Sequence, residues 1–236
     1  MARSAPAGAN TRTRVLSALV LAPIAFGAAW FGGWAFAAFW VLAALAVLYE
    51  CTKIVLGAAN LTGASRAAWL VSGAAYAFLM GWSPIVLRND PQFGFAVIVF
   101  LFGVVWTTDI LGYFGGRAFG GPKLAPSISP SKTWSGAIAG TLGAAVVSGL
   151  VAAAWDVRVF PVIFVGVVLS MVSQAGDLAE SAFKRKFHTK DASNLIPGHG
   201  GVMDRLDGFW AAALVAAVIG IAHVGLAEPA RGLLVW

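Results

Sequence analysis

Seven apolar stretches, at residues 15–31, 34–49, 69–87, 93–111, 136–154, 159–174 and 209–226, leave this chain few ways to fold. A helix crosses the hydrocarbon core of a bilayer in roughly 20 apolar residues, and most of the seven approach that length. Charged residues make up only 11% of the 236 positions and hydrophobic residues 59%. A soluble domain carries about 25% charged residues, so this chain has too little polar surface to cover itself. The expected class is all-α, a polytopic integral membrane protein of about seven transmembrane helices with two structured cytoplasmic segments. The first two stretches are short and joined by Gly32-Gly33, which suits a tight helical hairpin. Arg12 and Arg14 ahead of the first also give it the look of a signal peptide. Six further spans favour an uncleaved helix instead. The single cysteine, Cys51, excludes an intrachain disulfide and a Cys-based zinc site. Residues 1–92 hold three spans. Residues 93–236 hold the other four, with the long polar segments 112–135 and 175–208.

Basic residues set the expected orientation. Of the 16 Lys and Arg residues, all but Arg88, Arg158 and Arg231 fall on the side of the N-terminus when the spans are threaded in turn. The positive-inside rule then puts the N-terminus in the cytoplasm and the C-terminus outside. The net charge of +6 has this topological explanation, so nucleic acid is not an expected partner.

Both long polar segments fall on the basic side. In residues 112–135, glycines, prolines and hydroxyl residues alternate with Arg117, Lys123 and Lys132. Glycine permits close backbone approach, and backbone N–H groups beside a cation can cradle phosphate oxygens. A flexible interhelical loop is the alternative. Ser129-Pro130-Ser131-Lys132-Thr133 is more pointed, since it sets a lysine and hydroxyls just before a helix whose N-terminus favours anions. It is not a Walker A loop. Asp109 lies inside the fourth span, where a carboxylate is costly and by default functional. The competing reading pairs it with Arg117 at the interface.

Residues 177–207 carry the strongest signal. Asp177, Glu180, Ser181, Lys184 and His188 follow the sixth span at spacings of three and four, so a continued helix would set them on one face. A turn at 195–201 must then reverse the chain. Asp204 and Asp207, three apart, share a face at the mouth of the last span. Asp177 and Asp204 thus meet at neighbouring helix ends, and converging carboxylates suit Mg²⁺. Taken singly, the two late aspartates could be helix caps. Lys184-Arg185-Lys186 could likewise be a juxtamembrane anchor for anionic lipid.

At these residues the chain resembles the phosphatidate cytidylyltransferase (CDP-diacylglycerol synthase) family. Ser181, Phe183, Lys184, Arg185, Lys190, Asp191, Ser193, Ile196, Pro197, His199, Gly200, Gly201, Val202, Asp204, Arg205, Leu206 and Asp207 fill that family's C-terminal motif without a gap. Residues 174–181 resemble the run into it. Asp109, Gly116-Arg117, Phe119-Gly120, Lys123-Leu124 and residues 129–134 resemble its middle section. Together these cover about half the chain, 109–207. Ser135 departs from the pattern, standing where the family commonly has Glu.

The resemblance implies that CTP and phosphatidate give CDP-diacylglycerol and pyrophosphate. It implies Mg²⁺, with a second cation as an option, on Asp177, Asp204 and Asp207. Lys132, Lys184, Arg185, Lys190 and Arg205 would hold phosphate oxygens, with Arg117, Lys123, Ser131 and Thr133 also in the substrate site and Asp109 a further candidate. His199 would contact phosphate or cytidine, or else hold its own turn by a hydrogen bond. The family further suggests a homodimer. The split of basic residues and the location of CTP put the site on the cytoplasmic face, and the expected setting is among the lipids of the inner membrane. Two alternatives stand beside this reading. One is another CTP-dependent lipid enzyme, such as a polyprenol or phytol kinase. The other is a secondary transporter for an anionic substrate, although here the charges gather at one face and not near the midplane.

Overall fold

A computed structural model describes residues 7–196 and 200–236, with side chains from Leu19 onward. The described chain forms helices α1 (Ala7–Phe31), α2 (Gly33–Gly57), α3 (Gly63–Arg88) and α4 (Gly94–Phe119), then strands β1 (Lys123–Ala125) and β2 (Ser129–Thr133). Helices α5 (Trp134–Ala154), α6 (Val159–Lys186), α7 (Met203–Val224) and α8 (Pro229–Leu234) follow. Six of these, α2 to α7, are long and apolar enough to cross a membrane. The apolar part of α1 among the described residues, Leu19–Phe31, is shorter than a span. The expectation of an all-α, polytopic membrane protein is met, and its count of about seven is approximate: six described helices have full span length. Large apolar side chains such as Trp34, Phe160 and Leu150 stand exposed on the outside of the bundle. Hydrocarbon is the solvent that makes such a surface stable.

Consecutive helices pack side by side and alternate in direction. The C-terminal ends of α2, α4 and α6 and the N-terminal ends of α3, α5 and α7 therefore gather at one end of the bundle. That end carries the long polar segments. The break between α1 and α2 falls on Gly32, at φ +65°, a conformation that costs a side-chain-bearing residue. Arg88 at the end of α3 closes this corner. Its Nε donates to Ala29 O at 2.7 Å and its Nη2 to Trp30 O at 3.2 Å. These are carbonyls that the last turn of α1 leaves without partners. Rings of α1 lean on α4, with Phe26 5.3 Å from Phe102 and Trp30 5.3 Å from Phe95.

The centre is built in two ways. Where α2, α4 and α7 meet, large rings interlock: Trp40 stacks on Phe209 at 5.0 Å, and Phe209 lies 5.0 Å from Phe102. Where α4 meets α5, small residues let the backbones touch. A methyl group on Gly140 would lie 2.6 Å from Thr108 O, and one on Gly136 would lie 2.5 Å from Gly112 O. Such stripes of small residues are the usual means of close helix packing in lipid. The same device recurs between α6 and α7, where a Cβ on Gly176 would meet Asp207 O at 2.9 Å and one on Gly208 would meet Ser173 Oγ at 2.6 Å. This contact holds the two aspartate-bearing helix ends together.

Two helices run past their apolar spans. α4 extends beyond residue 111 to Phe119, and α6 beyond residue 174 to Lys186. The remainder of the segment 112–135 is not a flexible loop. β1 and β2 pair antiparallel, with Lys123 opposite Thr133 and Ala125 opposite Ser129. This hairpin is a small β feature in an otherwise helical chain.

Candidate active site

The continued helix α6 presents Asp177, Glu180, Ser181 and Lys184 on one face, as their spacing requires. The first two turns of α7 bring Asp204 and Asp207 against it. The structure then sorts these carboxylates in a way that the spacing does not. Asp177, Glu180 and Asp207 each offer an oxygen, and the three atoms lie within 4.8 Å of one another. Asp204 lies beside this triad, sharing Lys184 with Glu180 and lining the same acidic cavity. Its Oδ1 accepts from Lys184 Nζ at 2.5 Å, and its Oδ2 accepts from Ala192 N at 2.9 Å and Gly201 N at 2.8 Å. Asp204 thus ties the incoming loop to the start of α7, while Glu180, which the sequence reading set on the α6 face but not among the ligands, joins the cluster.

Two lysines neutralise the group. Lys132, at the end of β2, pairs with Asp177 Oδ2. Lys184 bridges Glu180 Oε2 at 2.7 Å and Asp204 Oδ1 at 2.5 Å. Ser181 Oγ donates to Asp177 Oδ1 at 3.4 Å. Three oxygen donors this close, with fewer cations than carboxylates around them, fit a hard divalent cation such as Mg²⁺.

The triad lies where cavities adjoin. A polar cavity of about 600 Å³ is walled by Gly112, Gly116, Gly120 and Gly121, by Arg117, Lys123, Ser131, Lys132 and Thr133, and by Asp109 and Asp177. A second, of about 280 Å³, is lined by Asp109, Asp177, Glu180, Lys184, Asp191, Asp204, Arg205 and Asp207. Every candidate residue of the segment 112–135 therefore faces one space that ends at Asp177. The glycines keep α4 and the hairpin open to that space, and a Cβ on Gly116 would meet Thr133 Oγ1 at 2.8 Å. Thr133 Oγ1 itself accepts from Gly136 N at 3.2 Å and caps α5. Ser135 Oγ lies 3.1 Å from Thr133 Oγ1 and donates to Gly120 O, the residue that ends α4. The departure at Ser135 is thus a clamp between the ends of α4 and α5.

The remaining candidates are more scattered. Arg117 Nη1 is directed at Tyr113 Oη, 3.3 Å away, and among the described residues no ion pair joins it to Asp109. Asp109 faces the cavities instead. Arg185 Nε points to Ile128 O of the hairpin turn at 3.5 Å. Lys190 is exposed and lines neither cavity. Arg205 lines the acidic cavity. His199 lies outside the described residues.

Sequence reading missed Glu50. This α2 residue is fully buried. Its Oε1 accepts from Ser193 Oγ at 2.5 Å and Val202 N at 2.8 Å, and its Oε2 accepts from Met203 N at 2.8 Å. Amides at a helix start lack intrahelical partners, and here a carboxylate from a distant helix supplies them. The loop must come very close to do this. A Cβ on Gly201 would lie 2.6 Å from Glu50 Oε1, and Gly200 sits at φ +86° with Asp204 Oδ2 beside it. A signal for Glu50 was present in the sequence, since a lone carboxylate at the end of an apolar span is the same anomaly that marked Asp109.

Comparison with known proteins identifies the relatives of this chain. The model of the cytidylyltransferase family matches residues 59–222, from the loop before α3 almost to the end of α7. The phosphatidate cytidylyltransferase of Brucella abortus (strain 2308) is 43% identical, over 89% of this chain and 93% of that protein. Proteins of the same name from Haemophilus influenzae and Rickettsia prowazekii are 42% and 43% identical over 52% and 47% of this chain, covering 45% and 52% of their own lengths. With a family match that runs through the carboxylate triad and both lysines, and a relative matched almost end to end, the chain belongs to the cytidylyltransferase family.

Proposed function

We propose that this protein is a membrane-embedded nucleotidyltransferase that converts CTP and phosphatidate to CDP-diacylglycerol and pyrophosphate. The single observation that carries the reading is the Asp177–Glu180–Asp207 triad at the end of a glycine-lined, lysine-bearing cavity. In the reaction an ionised oxygen of the lipid phosphate attacks the α-phosphorus of CTP. The new oxygen–phosphorus bond forms as the bond to the bridging oxygen breaks, and that oxygen leaves with pyrophosphate. The second ionisation of a phosphate ester lies near pH 6, so no proton has to be removed. Both partners are anionic, and charge neutralisation with alignment is the main catalytic task.

Each residue has a part in that task. Asp177, Glu180 and Asp207 would hold Mg²⁺, which when bound supplies positive charge to the polyphosphate. Asp109 faces the same space from α4 and is the candidate for a second cation. Lys132 pairs with Asp177 and lines the polar cavity beside it, placed to take a phosphate oxygen. Arg117, Lys123, Ser131 and the N-terminal amides of α5 line the path for the triphosphate. Asp204 serves by position: it fixes Lys184 beside the triad and anchors the 192–201 loop. Residues 93–236 form the catalytic part, and residues 1–92 support it through Glu50. The gathering of basic residues at the site end supports a site facing the cytoplasm of the inner membrane, where CTP is available.

The test is to incubate purified protein with Mg²⁺, phosphatidate and CTP labelled at the α-phosphorus. Label is expected in the lipid phase, with pyrophosphate released in equal amount. Transfer of label from γ-labelled CTP to lipid would instead identify a lipid kinase and overturn the reading.

A further inference from the structure

A third cavity at the site end has a different chemistry. About 350 Å³ lies between α3, α6 and α7, with Cys51 of α2 behind it. Trp69, Tyr76, Met80, Phe183 and Ala211 form its walls. Its charged lining residues are Glu180 and Asp207, two of the three triad carboxylates. It therefore reaches the triad from the side of α6 opposite the polar cavity, which touches the triad at Asp177.

The cavity is also open sideways. α3 and α6 each pack on α7 but scarcely on one another, so the space is a gap between two membrane-spanning helices. Ser72 on α3 and Ala179 on α6 both line it and are both exposed. At the site end the gap is bridged by rings, not backbone: Trp69 lies 5.8 Å from Phe183 and 5.3 Å from Phe187. Lys186 Nζ sits 5.3 Å over the Trp69 ring. This corner thus sets a cation above an apolar cleft, as the boundary between headgroup and hydrocarbon requires.

We infer that this cleft receives an acyl chain of the lipid substrate, which slides in from the bilayer between α3 and α6 and brings its phosphate to the triad from that side. The inference rests on the phosphatidate reading above and adds the route and the residues. A nucleotide is the wrong occupant, because a triphosphate needs cations, and the charged groups of this lining are two carboxylates, whereas the polar cavity offers Arg117, Lys123 and Lys132. A hydrocarbon chain needs an apolar surface continuous with the membrane, and ends at an anionic head that must meet the triad. The cleft provides both. The two substrates then approach the reacting centre from opposite sides of α6, one along Asp177 and the other along Glu180 and Asp207.

Two experiments on the full chain test this. Ser72→Phe and Ala179→Phe fill the cleft from exposed positions, away from the packed core. Each is expected to raise the KM for dioleoyl phosphatidate at least ~10-fold relative to that for dihexanoyl phosphatidate, while the KM for CTP moves less than ~2-fold. Equal effects on both lipids, or a larger effect on CTP, would overturn the inference. The second experiment does not depend on turnover. A benzophenone side chain at position 72 should capture labelled phosphatidate, and excess phosphatidate but not phosphatidylcholine should compete. At Phe160, exposed at the far end of α6, the same probe should capture both lipids without preference. Capture at position 72 that phosphatidylcholine competes equally would also overturn it. Wild-type protein that makes no CDP-lipid defeats the proposed function itself. Active wild-type protein whose variants show no chain dependence defeats only the acyl cleft.

Discussion

The two ends of the bundle use buried carboxylates differently. At the end away from the site, Asp90 is 3% exposed. Its Oδ1 accepts from Gln92 N at 3.0 Å and Phe93 N at 2.8 Å, capping α4, and its Oδ2 accepts from Arg231 N at 2.9 Å, tying down α8. Every lone pair that matters is given to backbone amides, and the group is complete without a ligand. At the site end, Glu50 and Asp204 do the same work for the start of α7. Beside them, Asp177, Glu180 and Asp207 bring one oxygen each within 4.8 Å of one another, and their partners are mainly side chains: Lys132 and Ser181 for Asp177 and Lys184 for Glu180, with Gly208 N on Asp207. Carboxylates given to backbone amides hold structure, whereas the proposed role of the clustered three is to hold a cation. The site end contains both kinds, and the first kind holds the second in place.

The largest expected effect breaks the triad itself. Asp177→Asn or Asp207→Asn should lower kcat/KM by ~1000-fold or more, about 4 kcal/mol of transition-state stabilisation. Thermal unfolding in detergent should change little, since neither residue holds the loop. Retention of most activity with an unchanged Mg²⁺ requirement would erase the distinction between the two kinds of carboxylate.

Next come the amide-bound carboxylates. Glu50→Ala leaves two amides and a hydroxyl without their acceptor, at about 1–3 kcal/mol for each buried group left unsatisfied. A loss of about 3 kcal/mol in stability is expected, with turnover falling as the 192–203 loop loosens. Asp90→Ala should destabilise to a similar degree, but the folded fraction should keep its kcat/KM. Denaturant unfolding and kinetics measured on the same samples separate the two. An Asp90 variant that is stable yet inactive would contradict the assignment.

A smaller effect sharpens the role of Lys132. A lysine that merely sets topology tolerates arginine, whereas one that fits between Asp177 and a phosphate does not, because guanidinium is larger and planar. Lys132→Arg should insert normally and lose ~10-fold in turnover efficiency, about 1.4 kcal/mol, with Lys132→Ala worse. Near-normal rates for the arginine variant would favour charge alone.

Ser193→Ala is the mildest test. It removes one of the three donors on Glu50 and should cost about 1 kcal/mol of stability. A cost as large as that of Glu50→Ala would mean that the hydroxyl, and not the pair of α7 amides, carries the latch.

Much of this was legible before any coordinates. Membrane-length apolar runs announce helices because a bilayer imposes a length. The α6 face was legible because spacings of three and four become one face through the covalent geometry of the helix alone. The convergence of residues 112–135 on Asp177 could be expected only as proximity, since both segments lie on the basic side. The β hairpin that places Lys132 was not foreseen. Prolines at 122, 126 and 130 and interleaved serines gave the appearance of a loop.

What the sequence determined by itself was the class of molecule, the end at which its charges collect, and the local order of acids and bases along α6 and α7. Tertiary structure alone decided which carboxylates face which partners. Asp204 and Asp207 share a helix face and look equivalent in the sequence. The loop amides at Ala192 and Gly201 claim the first, and the close α6–α7 contact at Gly176 and Gly208 delivers the second to the triad. Glu50 meets Val202 and Met203 across about 150 positions of chain, and the apolar cleft exists only because α3 and α6 share α7 without closing on each other. Local pattern fixes what each segment offers. Helix rotation and separation, set by glycine contacts and interlocked rings far apart in sequence, fix what each side chain meets.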